Sequence, residues 1–260
     1  MWTGVSLRRR EDRYLLRGLA QYVDDRSQDS CHLVLLRSPH AHALIRAIDV
    51  TRARQLSGVY AVMTADDLPQ TLRSLPVLYR VPGQKMTEFP VLAKDRVRYV
   101  GEPVAAVLAD SRYRGEDAIE YIEVSYEPLP AVTDVMQAVA PNAPLLYPHW
   151  GDNIVNRLRL EQGEVDALFR HAPCNLSLSL SLGRVAPMSL ETRSTMAAYD
   201  PRSGVLDLWS STQGAFQLRT VLSELLGRPE HCIHVHAVDV GGGFGAKLRV
   251  YPEDLLVSYL

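Results

Sequence analysis

The stretch IHVHAVDVGGGFGAK, residues 233–247, decides how the second half of the chain folds. Its first part alternates apolar and polar side chains and predicts a β-strand over residues 231–240. Directly after this strand, four of the five residues at 241–245 are glycine. Consecutive glycines let backbone N–H groups approach a ligand with no Cβ in the way. We therefore expect a strand end that seats a bulky anionic cofactor, with Phe244 as an apolar wall.

The same glycines allow three other interpretations. Gly241, Gly243 and Ala246 match the G-x-G-x-x-A spacing of a dinucleotide fingerprint, but Pro252 falls where the fingerprint needs its helix. A P-loop is disfavoured because neither Ser nor Thr follows Lys247. A structural tight turn remains open, although so many glycines in one run exceed what a turn requires.

Outward from this stretch, the pattern predicts further strands in the second half. NLSLSLSL, residues 175–182, alternates Leu with Ser and carries the clearest strand pattern in the chain. Strands over residues 194–199 and 205–211 follow, with the turn PRSG between them. Short connections of this kind join antiparallel neighbours, so we expect an antiparallel meander with no βαβ unit.

A helix is predicted between the last two strands of this half. Phe216, Val221 and Leu225 belong to an apolar stripe at helical spacing, and Gly227 marks its end. Ser211 or Thr212 is expected to cap its N-terminus. Gln213 therefore lies at a strand-to-helix junction, a position where functional groups often gather.

The first half mixes helix and strand. Short apolar runs over residues 31–36, 59–63 and 104–109 have the length of buried strands. A helix capped near residues 110–111 separates the last of them from YIEVSYEPLP, whose alternating pattern predicts a half-buried strand. The proline-rich stretch over 138–153 resembles an extended linker. The fold class expected is α+β.

The composition excludes several classes of protein. The chain has 260 residues, 47% hydrophobic and 22% charged, with a net charge of −2 and no basic patch, so nucleic-acid binding is not expected. It starts without a secretory signal and has no apolar run of the roughly 20 residues that a membrane span needs. Because the chain stops within an apolar, helix-like segment, we expect it to be part of a longer protein.

The three cysteines, Cys31, Cys174 and Cys232, are odd in number and far apart. This spacing argues against a disulfide framework, a zinc site or an iron–sulfur cluster within the chain, and a reducing cytoplasm is expected.

The segment HCIHVH raises the question of a metal site. His234 and His236 share one face of the predicted strand and His231 the other, with Cys232 on the His234 face. No neighbouring carboxylate completes a ligand set, so solvated or hydrogen-bonded histidines are favoured. Glu191 and Arg193 lie just before a predicted strand. They could form an ion pair, contact a ligand, or simply be exposed surface residues.

Seven segments, in order, carry a resemblance to a known family: RGLAQYVDD, SPHAHALI, YVGEPVAAVLADSRYRGEDA, VSYEPLPAV, PMSLETRSTMAAYD, LWSSTQGAFQLR and VDVGGGFGAKLRVYPE. They cover nearly the whole chain. Together they are similar to the large, molybdenum-binding subunit of the xanthine dehydrogenase and aldehyde oxidase family, in particular its aerobic carbon monoxide dehydrogenase-like subgroup. The chain departs from many members at Ala246, where they have glycine, and PMSLETR replaces the PMEPR of some relatives.

The resemblance implies an architecture. Residues 1–130 would form an α/β hammerhead domain, residues 131–155 a linker, and residues 156–260 the incomplete start of a mixed α/β molybdopterin-binding domain. The chain would be the N-terminal portion of a large subunit whose catalytic glutamate and most pterin ligands lie beyond residue 260. No catalytic residue is therefore expected within the chain.

The resemblance also implies the site and its chemistry. Gln213 would lie beside the apical oxo ligand of a molybdenum bound by molybdopterin, in its cytosine dinucleotide form. The backbone and ring of the glycine stretch would pack against this cofactor, through Gly242, Gly243, Phe244, Gly245 and Ala246. The N–H groups over residues 243–245 would be donors.

The implied partners are the C-terminal remainder of the large subunit, an FAD-binding medium subunit, a small subunit with [2Fe-2S] clusters, and a small-molecule substrate oxidised by oxygen transfer. Two alternatives stay open at this point: a truncated or split assembly piece without activity, and a nicotinamide-binding oxidoreductase.

Overall fold

The computed structural model describes residues 3–26, 30–77 and 79–260. Within this part of the chain, nine strands form three three-stranded sheets. The strands are β1 (His32–Arg37), β2 (Ala43–Asp49), β3 (Val59–Met63), β4 (Arg96–Val97), β5 (Pro103–Ala109), β6 (Glu123–Pro128), β7 (Thr195–Asp200), β8 (Val205–Ser210) and β9 (Ile233–Ala237). The helices are α1 (Asp12–Leu15), α2 (Arg112–Ile119), α3 (Val135–Ala138), α4 (Val165–His171), α5 (Ala215–Leu226) and α6 (Pro252–Tyr259).

The sheets of the first half confirm the expected mixture of helix and strand. β5 lies at the centre of one sheet, antiparallel to β1 on one side and β3 on the other. Its continuous apolar run is buried because neighbours cover both of its faces. The Ser111 side chain accepts a hydrogen bond from the Arg114 amide at the start of α2, as the predicted cap requires. A second antiparallel sheet has the order β4-β2-β6.

The third sheet differs from the predicted meander. β7 and β8 pair antiparallel as expected, but β9 pairs parallel to β8. The expectation of no βαβ unit is therefore wrong. Helix α5 carries the chain back along the sheet before β9 begins, and a strand reached through such a crossover runs parallel to the strand before it. α5 ends at Gly227 in the left-handed conformation, with φ of 63°, as predicted.

The predicted cap of α5 is also wrong. Gly214 is the residue that precedes the helix, and no side chain caps it. The Thr212 hydroxyl instead accepts a hydrogen bond from the Gly214 amide at 3.0 Å, just outside the helix.

One hydrophobic core spans both halves of the chain. Leu68 and Leu92 of the first half belong to the same buried cluster as Leu208, Leu222 and Leu256 of the second. Apolar packing therefore fixes the third sheet, β7-β8-β9, against the first half.

The proline-rich connection between the halves is anchored by its own contacts. Tyr147 is buried, stacks on Trp150 with ring centroids 4.3 Å apart, and lies under the Arg98 guanidinium. The Asn153 side chain donates to the carbonyls of Ala138 and Pro144. The contact with Arg98 ties the connection to the first half, and the other contacts hold the connection together internally.

The prediction of a strand over residues 175–182 is wrong. This segment has no regular secondary structure, and Leu176, Leu178, Leu180 and Leu182 are 74–93% exposed. Alternation predicts a strand only where a neighbouring strand supplies hydrogen bonds and a second layer covers the apolar face. Within the described residues neither is present for this segment. We call these four leucines the leucine stripe.

The apolar segment at the end of the chain forms α6, which is held by a buried carboxylate. Asp254 accepts a hydrogen bond from the Tyr251 amide at 3.0 Å and one from the Ser210 hydroxyl at 3.4 Å. Burial raises the pKa of Asp254 to about 6, against these hydrogen bonds, which lower it. Among the described residues no helix is both long and apolar enough to serve as a membrane span.

The Asp254 pKa gives a stability prediction. Because the folded pKa lies above the unfolded value, the stability that the protonated carboxyl contributes is fully present near pH 4 and is lost as the pH rises through 6. Asp254→Asn removes the charge, keeps one acceptor oxygen for the Tyr251 amide, and places an N–H₂ group that can donate to the Ser210 hydroxyl in place of the other oxygen. We expect it to be more stable than the parent at pH 8 by about 2–3 kcal/mol, and equally stable near pH 4. Urea unfolding at both pH values checks this; a less stable variant at pH 8 would contradict it.

Candidate functional site

The glycine stretch forms an irregular loop after β9. Gly242 and Gly245 have φ of 98° and 83°, and Phe244, although not glycine, has φ of 49°. A side chain in the left-handed region costs conformational energy, so surrounding contacts must hold Phe244 there. Alternation of left- and right-handed residues turns successive N–H groups toward one side and makes a concave, anion-binding surface.

Gln213 lies inside the curve of this loop. Its Oε1 accepts hydrogen bonds from the amides of Gly245, at 3.0 Å, and Lys247, at 3.3 Å. Its backbone amide donates to the Lys247 carbonyl at 2.9 Å. The strand-to-helix junction between β8 and α5 therefore meets the loop after β9, because β8 and β9 are neighbours in one sheet.

Two of the glycines are required by these close contacts. A Cβ on Gly243 would approach the carboxamide of Gln213 to well under 3.0 Å, a separation that Cβ atoms essentially never show. A Cβ on Gly241 would lie only 2.5 Å from the Cβ of Glu191 and 3.4 Å from its backbone nitrogen. The run of glycines thus serves more than a turn, since two neighbouring side chains occupy the space of the missing Cβ atoms.

A buried ion pair closes the base of the loop. Glu191 Oε2 accepts from the Gly241 amide at 2.7 Å and from Lys247 Nζ at 2.6 Å. The side chains of Lys247 and Glu191 are only 2% and 15% exposed. Of the interpretations left open for Glu191, the structure shows an ion pair. The sequence signal for this role of Lys247 is weak, because a lysine directly after a glycine-rich stretch by itself indicates only a P-loop.

Arg193 takes part in a different set of contacts. Its guanidinium lies 3.3 Å from Glu253 and 3.9 Å above the ring of Tyr251. Tyr251 in turn donates a hydrogen bond to the Ala246 carbonyl. Arg193 therefore supports the far end of the loop and does not pair with Glu191.

Several donors on the loop have no partner within the described residues. They are the backbone amides of Gly242, Gly243 and Phe244, together with Nε2 of Gln213. The Gly245 amide, expected among the donors over residues 243–245, is already bonded to Gln213, and the Ala246 amide is bonded to the Gly243 carbonyl. The available donors thus begin one residue earlier than expected.

The loop is therefore equipped to bind oxygen-rich or anionic groups. Three successive amides and one carboxamide N–H₂ can donate hydrogen bonds, and Phe244, 73% exposed, offers an apolar ring beside them. The carboxylate that contacts the loop among the described residues, Glu191, is bonded to Lys247 through Oε2.

A cleft of about 920 Å³ lies next to this loop, and its lining includes Ser194, Thr212, Lys247 and Arg249. Neither Gln213 nor residues 241–245 line it.

Comparisons with known proteins match both halves. Residues 17–130 match the family model described as "Aldehyde oxidase and xanthine dehydrogenase, a/b hammerhead domain", and residues 146–260 match "Molybdopterin cofactor-binding domain". The matches include six of the seven segments that carry the resemblance in full, and VSYEPLPAV as far as Pro130.

Similar proteins and structures agree. The chain is 38% identical over 255 residues to the nicotine 6-hydroxylase large subunit of Paenarthrobacter nicotinovorans, covering 98% of this chain and 31% of that protein. It is 39% identical to the carbon monoxide dehydrogenase large chain of Afipia carboxidovorans, covering 95% and 32%. It superposes on the quinoline 2-oxidoreductase of Pseudomonas putida 86 with a TM-score of 0.90 and 38% identity, covering 98% of this chain and 33% of that one. The chain thus spans about a third of the length of these relatives.

Proposed function

The chain belongs to the xanthine dehydrogenase and aldehyde oxidase family of molybdenum hydroxylase large subunits, and on this premise we propose that its glycine loop and Gln213 form one wall of a molybdenum–molybdopterin site. The single observation that supports this most is the row of unpaired donors beside the bonded Oε1 of Gln213. In the whole enzyme, this wall would serve the oxidation of a small molecule by oxygen transfer.

The residues present fit such a cofactor. When bound, the molybdenum–pterin centre would supply oxygen-transfer chemistry, and the protein would supply position and hydrogen bonds. The loop amides hold Oε1 of Gln213, which leaves its N–H₂ group as a fixed donor toward an oxygen ligand. The amides of Gly242, Gly243 and Phe244 would donate to the cofactor, Ala246 would extend the same wall, and the ring of Phe244 would shape the substrate side.

The identity of the cofactor, the partner subunits and the domain bounds are inferred from the resemblance to this family. We infer the cytosine dinucleotide form of the cofactor, an FAD-binding partner subunit and a partner subunit with [2Fe-2S] clusters. We also keep residues 1–130 as the hammerhead domain and residues 156–260 as part of the cofactor-binding domain, joined by residues 131–155. A cytoplasmic location is supported by three cysteines that form no disulfide.

One observation favours a second candidate, an assembly piece that is silent by itself. The leucine stripe is exposed and has no partner strand within the described residues. A row of unpaired backbone groups beside exposed leucines suits pairing with another strand. We propose that the remainder of the large subunit supplies this strand. The nicotinamide alternative lacks comparable support, because no helix follows the glycine loop until Pro252.

Metal and cofactor analysis of the purified full chain, alone and with any co-purifying subunits, separates these functions. Stoichiometric molybdenum and pterin, with oxidation of an aldehyde or purine, supports the active site wall. Molybdenum only in the assembled complex supports the assembly piece. Absence of molybdenum from the assembled complex, or saturable binding of a nicotinamide cofactor in its place, would contradict the proposal.

A further inference from the structure

Three metal-binding side chains meet on strands β8 and β9, outside the candidate site. Asp207, His234 and His236 each offer a ligand atom, and these atoms all lie within 4.8 Å of one another. Their side chains are 32%, 51% and 43% exposed, so an ion from solution can reach them. Neither His231 nor Cys232 belongs to this cluster.

The parallel pairing of β8 with β9 creates this cluster. Asp207 lies opposite His234 in the register, and Trp209 lies opposite His236. Side chains two residues apart share one face of a strand, so all four project from the face opposite the buried Leu206 and Leu208. The carboxylate that HCIHVH lacks in sequence thus comes from the neighbouring strand.

The separations suit a small transition-metal ion. Tetrahedral zinc with bonds near 2.0–2.1 Å places its ligand atoms about 3.3 Å apart. Asp207 Oδ1 lies 3.4 Å from His234 Nδ1 and 2.6 Å from His236 Nε2. The 2.6 Å between Asp207 and His236 is the length of a direct hydrogen bond. For both atoms to bind one ion, their separation would have to increase by less than about 1 Å.

The neighbouring tryptophan restrains one ligand. Trp209 stacks on the ring of His236, with centroids 5.0 Å apart and planes 16° from parallel. Stacking limits the rotation of the imidazole, so less freedom is lost when it binds an ion. The ring of His234 is nearly perpendicular to that of His236, at 86°, with the two centroids 6.3 Å apart.

We propose that Asp207, His234 and His236 bind a borderline divalent ion of the Zn²⁺ class. Two imidazoles and one carboxylate suit Zn²⁺, Cu²⁺ or Ni²⁺ better than Mg²⁺ or Ca²⁺, which prefer oxygen ligands. Three protein ligands leave a fourth position for water. The ion would cross-link β8 to β9 at the strand that leads into the glycine loop.

Titration calorimetry of the chelator-treated full chain with Zn²⁺ tests this site. We expect one Zn²⁺ per chain, beyond any molybdenum present. Asp207→Asn and His236→Ala should each weaken binding at least about tenfold, since even loss of an outer-shell partner has an effect of that size. His231→Ala is the matched control: His231 is exposed, lies near the start of the same strand and is outside the cluster, so this variant should bind like the parent.

A second readout separates ligand loss from misfolding. Co²⁺ in place of Zn²⁺ should give visible absorption in the parent and in His231→Ala, and lose it in His236→Ala while the far-ultraviolet circular dichroism is unchanged. Absence of stoichiometric Zn²⁺ uptake by the parent would overturn the proposal, as would an equal loss of affinity in the His231→Ala control. Because this experiment measures Zn²⁺ affinity, a negative result would overturn the zinc site and leave the molybdenum proposal unaffected.

Discussion

Lys247→Met is expected to lower the free energy of unfolding by about 3–5 kcal/mol, the range for removal of one partner of a buried ion pair. The Lys247 side chain is 2% exposed, and its Nζ lies 2.6 Å from Glu191 Oε2. Methionine fills a similar volume but leaves the Glu191 carboxylate buried without its counter-charge. Glu191 also holds the Gly241 amide, so the loss should loosen the whole glycine loop.

Urea unfolding of three variants distinguishes this effect from a general sensitivity to lysine replacement. Lys94→Met breaks a comparable pair with Asp66, but those side chains are 48% and 69% exposed; it should cost no more than about 1 kcal/mol. In Glu191→Gln/Lys247→Met both charges are gone, and part of the stability should return. Equal effects of the buried and exposed replacements would contradict the account of the buried pair.

Gln213→Glu is expected to lower kcat of the assembled enzyme by about 10²–10³, the usual effect of removing one fixed hydrogen-bond donor from an active site. The carboxylate can still accept from Gly245 and Lys247, so the loop should keep its conformation. It cannot donate as the carboxamide N–H₂ does. We therefore expect a change in kcat with little change in KM or in thermal stability.

Gln217→Glu provides a matched control, because it introduces the same charge on α5, next to Gly214, outside the set of loop donors. It should retain near-parental activity. Steady-state kinetics and molybdenum content of both variants check the prediction. A Gln213→Glu enzyme with full molybdenum and parental kcat would show that this side chain is not a donor in the reaction.

Local patterns were sufficient for much of the fold. The apolar run of β5, the Ser111 cap of α2 and the Gly227 end of α5 each depend on residues close in sequence, and each was predicted correctly. The motif order identified the family, and the family matches bear this out. The strand pattern before Gln213 and the helical pattern after it likewise predicted its position at a strand-to-helix junction.

The features that the sequence did not reveal depend on distant partners. β9 is parallel because α5 carries the chain back, which no pattern within β9 shows. The leucine stripe has the alternation of a strand but no neighbour to pair with. The bonds of Lys247 to Glu191 and the approach of Asp207 to His236 join residues 56 and 29 positions apart. Pattern within a segment cannot predict such contacts.

Crystallographic location of molybdenum in the loaded protein, from its anomalous scattering, tests the central proposal most directly. The ion should lie on the open side of the glycine loop, beside the ring of Phe244, with one of its oxygen ligands accepting a hydrogen bond from Gln213 Nε2. The proposal would be contradicted by a molybdenum ion that lies away from residues 242–244 and has no oxygen ligand within hydrogen-bonding distance of the Gln213 carboxamide.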